Sequence, residues 1–221
     1  MEFRFPGLEE AQLIKMGAEA NLYRGLWHGR SVVVKWRIPK RYRVPKLDSE
    51  IRARRTIREA QIIHEAKEAG VPTPTIFLVD VAGSSLVMEY VVGVQVKQVL
   101  DELRPEERRR LCRHIGVLIG RLHKAGIVHG DLTTSNMIIT PRGQVVFIDF
   151  GLSERSTELE PRGVDLHLLR RVLISTHHRH AEESFRAVME GYASVMGEEE
   201  KSKVLSKIRE IERRGRYVSE R

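Results

Sequence analysis

The sequence predicts a two-lobed α+β protein, and three observations carry that reading. Up to about residue 95 the apolar residues come mainly in short runs separated by turn residues, as in strands; beyond it they recur at helical spacing; and the change happens once, with no internal repeat or low-complexity linker. In the first half, "QLIKMG", "NLYRGLW" and "SVVVKWR" read as three consecutive strands, broken by turns at Gly17 and at "HGR" before Ser31. Asp48 to Ala69 reads as a helix closed by Gly70 and then by Pro72 and Pro74. "TIFLVDV" and "SSLVMEYVV" follow as a hairpin across "AGSS". In the second half, Leu111, Ile115, Leu118, Ile119 and Leu122 lie at helical spacing after Pro105 and stop at Gly126. Short strands around "MIIT" and "VVFID", joined by "PRG", come next, and three further helices are expected over 163–176, 181–196 and 199–214. The expected division is a small β-rich lobe with one main helix, residues 1–90, and a reduced, mostly helical lobe, residues 91–221, with a ligand gripped between them.

Composition narrows the class. A chain of 221 residues with 41% hydrophobic side chains can bury a real core. Its single cysteine, Cys112, excludes an intramolecular disulfide framework and a multi-cysteine zinc site, and reads as a small buried hydrophobe in a reducing compartment. No basic segment followed by an apolar stretch opens the chain, and no apolar run approaches membrane-spanning length, so a cytoplasmic protein with no membrane partner is expected. The net charge of +8 is concentrated. Lys35 to Arg58 carries ten Lys or Arg against Asp48 and Glu50, Lys201 to Arg221 carries eight against three acidic residues, and the remainder is net negative. Two separated basic segments suit a polyanionic partner: nucleic acid, an acidic protein face or nucleotide phosphates.

The chemistry concentrates in "HGDLTTSN" and "IDFG". Phosphoryl transfer from ATP needs a carboxylate to hold a divalent metal against the phosphates, a second oxygen ligand for that metal, and a group that orients or deprotonates the incoming hydroxyl. Asp131 suits the last role, Asn136 five residues on can turn an amide oxygen to the metal, and Asp149 thirteen residues further is the main metal ligand, with Gly151 expected to ease the turn beside it.

Together these two motifs resemble the catalytic and metal-binding loops of the protein kinase superfamily. That resemblance implies ATP and Mg2+ as cofactors and further roles upstream. Lys35, at the end of the apolar run in "VVVKWR", would contact the α and β phosphates, paired with a carboxylate of the following helix, Glu59 in preference to Glu50. "LVMEYVVG" resembles the hinge, with Met88 beside the adenine pocket and the backbone of Glu89 to Tyr90 reading the adenine edge. Asp165 in "GVDLHLLRRVL" is either a brace for the catalytic-loop backbone or a simple N-cap.

The chain departs from an ordinary protein kinase in four places. The phosphate loop is reduced to "MGAEANLYR", where backbone amides of Gly17, Ala18, Glu19 and Ala20 are the candidates to face phosphates. Gly130 replaces the arginine that usually follows the loop histidine; Asp165 comes only fourteen positions after Gly151, with no A-P-E; and Thr133 stands where a lysine is usual. These features, with "GAEA", "KRYRVPKLDSEIRARRTIREA", "HGDLTTSNMI", "IDFGLS" and a basic tail carrying "RRGRY", resemble the kinase subunit of the KEOPS (EKC) complex over nearly the whole chain. The resemblance implies an atypical serine/threonine kinase that behaves largely as an ATPase. Its implied partners are the KEOPS threonylcarbamoyltransferase subunit and other KEOPS subunits, in threonylcarbamoyladenosine synthesis on tRNA, with segments 35–58 and 201–221 as candidate tRNA contacts. Two alternatives stay open: a small-molecule or RIO-type phosphotransferase, and a non-catalytic scaffold. The cluster "HHRH" at residues 177–180 has no recognisable fourth ligand and is expected to be a polar surface turn.

Overall fold

The computed structural model describes residues 5–219, with side chains described as far as Arg214. The rest of "RRGRY" and the last residues of the basic tail lie outside the described side chains. The chain forms two compact units: one takes the chain up to Ile63 together with Pro74–Val91, the other takes His64–Thr73 together with the chain from Val92 onward.

The first unit is an antiparallel sheet of β1 (Leu8–Met16), β2 (Ala20–Trp27), β3 (Arg30–Arg37), β4 (Ile76–Asp80) and β5 (Ser85–Glu89), in the order β1-β2-β3-β5-β4. Strand β3 is central because its apolar residues suit burial: Val32 and Val34 have no exposed surface, and with Val87 of β5 they form a core covered by Phe5, Leu8, Trp27 and Phe77. Side chains alternate along a strand, so Lys35 and Arg37 share the face opposite Val32 and Val34. Helix α1 (Pro45–Glu68) is longer at its N-terminus than the sequence predicts, and buries Thr56, Glu59, Ala60, Ile63 and Ala66 as one stripe at i, i+3 and i+4 spacing. Its last turn belongs to the second unit, where Glu65 pairs with Arg155 at 2.5 Å.

The second unit opens with a two-residue strand β6 (Val94–Gln95), a single helical turn α2 (Val96–Val99) and α3 (Pro105–Lys124). It continues with β7 (Ile127–Val128), a 3-10 turn (Thr134–Asn136), β8 (Met137–Ile139), β9 (Val145–Phe147), β10 (Glu154–Arg155), and helices α4 (Leu159–Thr176), α5 (Ala181–Met196) and α6 (Glu198–Ser219). Strands β6, β8 and β9 form one small sheet, and β7 pairs with β10 in another. The sequence reading misses β6, α2, β7 and β10, because two to four residues are too few to show a period.

Helices α3 and α5 cross in backbone contact. A Cβ at Gly116 would lie 1.9 Å from the Val188 carbonyl oxygen, and one at Gly191 would lie 1.9 Å from the Arg113 carbonyl oxygen. Because the obstruction is main chain on both sides, no rotamer change relieves it. Gly191→Ala is expected to destabilise the protein by about 1–3 kcal/mol and to lower Tm by roughly 2–4 °C per kcal/mol. Thermal unfolding followed by circular dichroism measures this, and an unchanged Tm would contradict the close crossing.

Candidate active site

In the first unit, the alternation of β3 delivers Lys35 to the buried face of α1. Its Nζ donates to Glu59 Oε1 at 2.6 Å, with the two side chains 9% and 2% exposed. Glu50 is exposed on the same helix, so the carboxylate that meets Lys35 is Glu59. Arg37, two residues on and on the same strand face, donates to Glu59 Oε2 at 2.6 Å and to the Arg55 carbonyl oxygen at 3.3 Å. Sequence reasoning missed this second cation, although its i+2 position on the strand was visible. One carboxylate gripped by two cations is fixed in orientation, and it fixes the lysine in turn.

The reduced phosphate loop departs from expectation. The Gly17 amide donates to the Ala20 carbonyl oxygen at 3.1 Å, and a Cβ on Gly17 would lie 2.6 Å from that oxygen. The glycine therefore serves a tight turn, and its N–H does not face a phosphate. Lys40 donates to the Ala18 carbonyl oxygen, Ile38 to that of Glu19, and Arg55 holds the Glu19 carboxylate at 2.7 Å. Ala20 opens β2 opposite Arg37. In the hinge segment the two amides are committed to the sheet. Met88 is buried opposite Val33, but the Glu89 amide donates to Thr75 O at 2.8 Å and the Tyr90 amide to Ser31 O at 3.2 Å. Those two N–H groups complete the sheet, so an adenine edge here needs the segment's carbonyls or a later amide.

In the second unit, the loop between β7 and the 3-10 turn carries Asp131, and the turn carries Asn136. Asn136 Nδ2 donates to both the Asp131 carbonyl oxygen at 2.9 Å and Asp131 Oδ2 at 2.8 Å. With its nitrogen committed, the amide turns Oδ1 the other way and leaves it with no hydrogen bond among the described residues. The Ile148 amide donates to the Asn136 carbonyl oxygen at 2.9 Å, tying the turn to the residue before Asp149. Asp149 is half-buried with φ +62°, a conformation that strains most residues; the left-handed turn falls on the aspartate itself and not on Gly151.

Two buried groups position this loop. Asp165 lies in the second turn of α4, so it is not an N-cap. Its Oδ2 accepts from the His129 amide at 2.7 Å and its Oδ1 from the Gly130 amide at 2.8 Å, bracing the catalytic-loop backbone. His123 Nε2 lies 3.3 Å from the same carboxylate and His123 Nδ1 is 3.2 Å from the Tyr192 hydroxyl, whose pKa burial pushes up to about 12. His129 has no exposed surface and its Nε2 donates to the Ile148 carbonyl oxygen at 3.2 Å, while Nδ1 accepts from the Asp131 amide at 3.3 Å. Burial lowers its pKa against the pull of Asp165, Asp149 and Asp131, so it acts as a neutral packed strut between the two loops. Gly130 has φ +78°, and a Cβ there would lie 2.3 Å from the Leu152 carbonyl oxygen. No arginine fits in that position.

Among the described residues no group of three or more His, Cys, Asp or Glu is placed to hold a metal unaided. The donor set suits magnesium nonetheless, because that ion takes one or two protein oxygens and fills its remaining positions with phosphate oxygens and water. The Asp149 carboxylate and the turned-out Asn136 oxygen are such a pair.

A five-stranded antiparallel sheet with a lysine–glutamate pair, and a helical unit that presents Asp131, Asn136 and Asp149 on neighbouring loops, define a protein kinase-like chain; the protein kinase domain model matches residues 9–186. Among solved structures, the Rio2 kinase–ADP/Mg2+–phosphoaspartate complex from Chaetomium thermophilum aligns over 92% of this chain and 71% of its own, with TM-score 0.64 and 16% identity, a likeness of fold alone. Among curated proteins, the KEOPS complex subunit Bud32 of Pyrococcus abyssi is 50% identical over 93% of this chain and 96% of its own. The EKC/KEOPS complex subunit Tp53rkb of Mus musculus is 38% identical over 96% and 89%. A probable bifunctional tRNA threonylcarbamoyladenosine biosynthesis protein of Methanothermobacter thermautotrophicus is 50% identical over 93% of this chain, which spans 36% of that longer protein. The chain belongs to the Bud32 family of KEOPS subunits within the protein kinase superfamily.

Proposed function

We propose that this chain is an ATP- and Mg2+-dependent atypical serine/threonine kinase and ATPase, acting in the cytoplasm as the kinase subunit of a KEOPS complex in threonylcarbamoyladenosine synthesis on tRNA. The observation that carries the chemistry is the pair of hydrogen bonds that Asn136 Nδ2 donates to Asp131, which leaves Oδ1 available to a ligand in the turn tied to the residue before Asp149. In this reading Lys35, fixed by Glu59, sets its ammonium against the α and β phosphates. Asp149 and Asn136 hold the metal. Asp131 accepts a hydrogen bond from the attacking hydroxyl or water and takes its proton as the bond to the γ phosphorus forms and the bond to ADP breaks. Bound Mg2+ supplies neutralisation of the phosphate charge. The backbone of residues 88–90 and of 17–20 borders the nucleotide, with Glu89 and Tyr90 contributing groups other than their amides.

The partner reading is supported by relatives named as KEOPS subunits and by the longer protein of which this chain matches only about a third, 36%. The other subunit is the threonylcarbamoyltransferase, in line with that name. The kinase/ATPase reading is favoured over a scaffold because burying Lys35 on a doubly held carboxylate, and straining Asp149, bring a scaffold no advantage. Phosphate release measured for the protein alone, with tRNA, and with transferase and tRNA tests the reading: release should rise with the partner. No release under any of the three conditions would overturn it.

The candidate tRNA surface is smaller than the charge count implies. Of the ten cations from Lys35 to Arg58, Lys35 and Arg37 are buried on Glu59, Arg43 and Arg52 hold Asp48, Arg55 holds Glu19, and Lys40 is bonded to Ala18. Arg41, Lys46, Arg54 and Arg58 are exposed with no ion pair among the described residues. With those four and one or two cations of the C-terminal segment contacting phosphates, the log–log slope of tRNA affinity against salt should be roughly −3.5 to −5.5. Fluorescence anisotropy at several salt concentrations measures it, and a salt-independent affinity would remove tRNA from this surface.

A further inference from the structure

The "HHRH" cluster is not the polar surface turn that its composition suggests. His178 is exposed, but the His177 side chain has no exposed surface. His177 caps the C-terminus of α4, and its amide donates to the Leu173 carbonyl oxygen at 2.8 Å. Its Nε2 lies 3.2 Å from the buried Thr134 hydroxyl, and its Nδ1 lies 3.0 Å from Asp101 Oδ2, outside the angle of a good hydrogen bond. Thr134 is the first residue of the 3-10 turn that ends in Asn136. The helix α4 therefore touches the catalytic loop at two points, Asp165 on the amides of His129 and Gly130 and His177 on the hydroxyl of Thr134.

The two anchors are twelve residues apart along α4, about 18 Å at 1.5 Å per residue, whereas the four residues from Gly130 to Thr134 reach at most about 14 Å. The side chains of Asp165 and His177 reach toward the loop across that difference, and Thr133, between the two holds, is extended (φ −126°, ψ 157°). At its far end the loop is held by the Thr134 bond. Gln95 adds a third hold there, its Nε2 donating to the Ser135 carbonyl oxygen at 2.9 Å.

We propose that His177 is a positioning residue: buried beside Asp101, it fixes the Thr134 hydroxyl and with it the turn that presents Asn136. The functional side of this proposal rests on the phosphotransfer reading above; the structural side does not. Neither His177 nor Thr134 touches the reacting atoms.

The test compares Thr134→Val, which keeps the shape and removes the hydroxyl, with Thr134→Ser, which keeps the hydroxyl, and adds Asp101→Asn at the exposed end of the chain of contacts. Two readouts are taken, steady-state ATP turnover and hydrogen exchange of the Asn136 and Ile148 amides without nucleotide. Thr134→Val should lower kcat on the order of tenfold with the KM for ATP little changed, and speed exchange of both amides by a similar factor. Thr134→Ser should restore both readouts to near wild type, and Asp101→Asn should fall between. Thr134→Val behaving like Thr134→Ser in both readouts would overturn the proposal, as would a loss in Thr134→Val that follows a lowered Tm and spreads to amides throughout the second unit. If the wild type turns over no ATP even with transferase and tRNA, the phosphotransfer reading falls, and the exchange comparison alone still decides the positioning role.

Discussion

Asp149→Asn is expected to reduce ATP turnover on the order of a thousandfold while moving Tm by no more than a few degrees. The choice of asparagine follows from the backbone. Asp149 sits at φ +62°, where alanine is strained and asparagine is among the few side chains that tolerate the left-handed region. The substitution therefore removes the charge and keeps the conformation. A carboxylate gripping a divalent ion against phosphates is worth several kcal/mol of transition-state charge stabilisation, and each 1.36 kcal/mol is a factor of ten. The half-saturating Mg2+ concentration should rise in the same variant. Turnover near wild type, at ordinary Mg2+, would contradict the role given to Asp149.

Asp131→Ala should give a loss of similar or smaller size, about 10² to 10⁴, with a different signature. The variant should still bind the Mg2+ nucleotide within a few-fold of wild type. Asn136 Nδ2 loses Oδ2 of Asp131 but keeps the Asp131 main-chain carbonyl at 2.9 Å, so the oxygen aimed at the metal stays in place. Calorimetric titration with a non-hydrolysable ATP analogue, set beside steady-state kinetics, separates the two effects. If binding and turnover fall together, Asp131 is holding the turn and not orienting the nucleophile.

The fold was legible wherever a period was long enough to repeat. Helices α3, α5 and α6 carry such a period, whereas β1, almost wholly exposed, and α1 and α4 were placed by the turn residues and neighbouring elements that bound them. The two-residue strands β6, β7 and β10 carry none, and they form because neighbouring loops supply their partners. The pairing of Lys35 with Glu59 was readable because the resemblance to protein kinases calls for a lysine–carboxylate pair, and Glu59 lies one turn before Ile62 and Ile63 on the inner face of α1. The sharing of Glu59 with Arg37 was not read, since an arginine beside a tryptophan at a strand end looks like a rim residue. The loop glycines misled in opposite directions. Gly17 resembles a phosphate-binding glycine, but its amide closes a turn on Ala20; Gly151 resembles the flexible point of "DFG", but the positive φ falls on Asp149. In both places the difference lies in which backbone group finds a partner, and sequence does not encode that locally. Asp165 was open between a brace and an N-cap, and the amides of His129 and Gly130 decide for the brace, whereas His177 was expected on the surface. Only the approach of Thr134 turns His177 into a brace.

The most direct test of the account is to place a paramagnetic ion where magnesium is assigned. Mn2+ added with a non-hydrolysable ATP analogue to isotopically labelled protein should broaden the amide signals around Asn136 and Asp149 first, and Asp149→Asn should remove that broadening at the same concentrations. Broadening centred on other segments, with the signals around Asn136 and Asp149 unaffected, would contradict it.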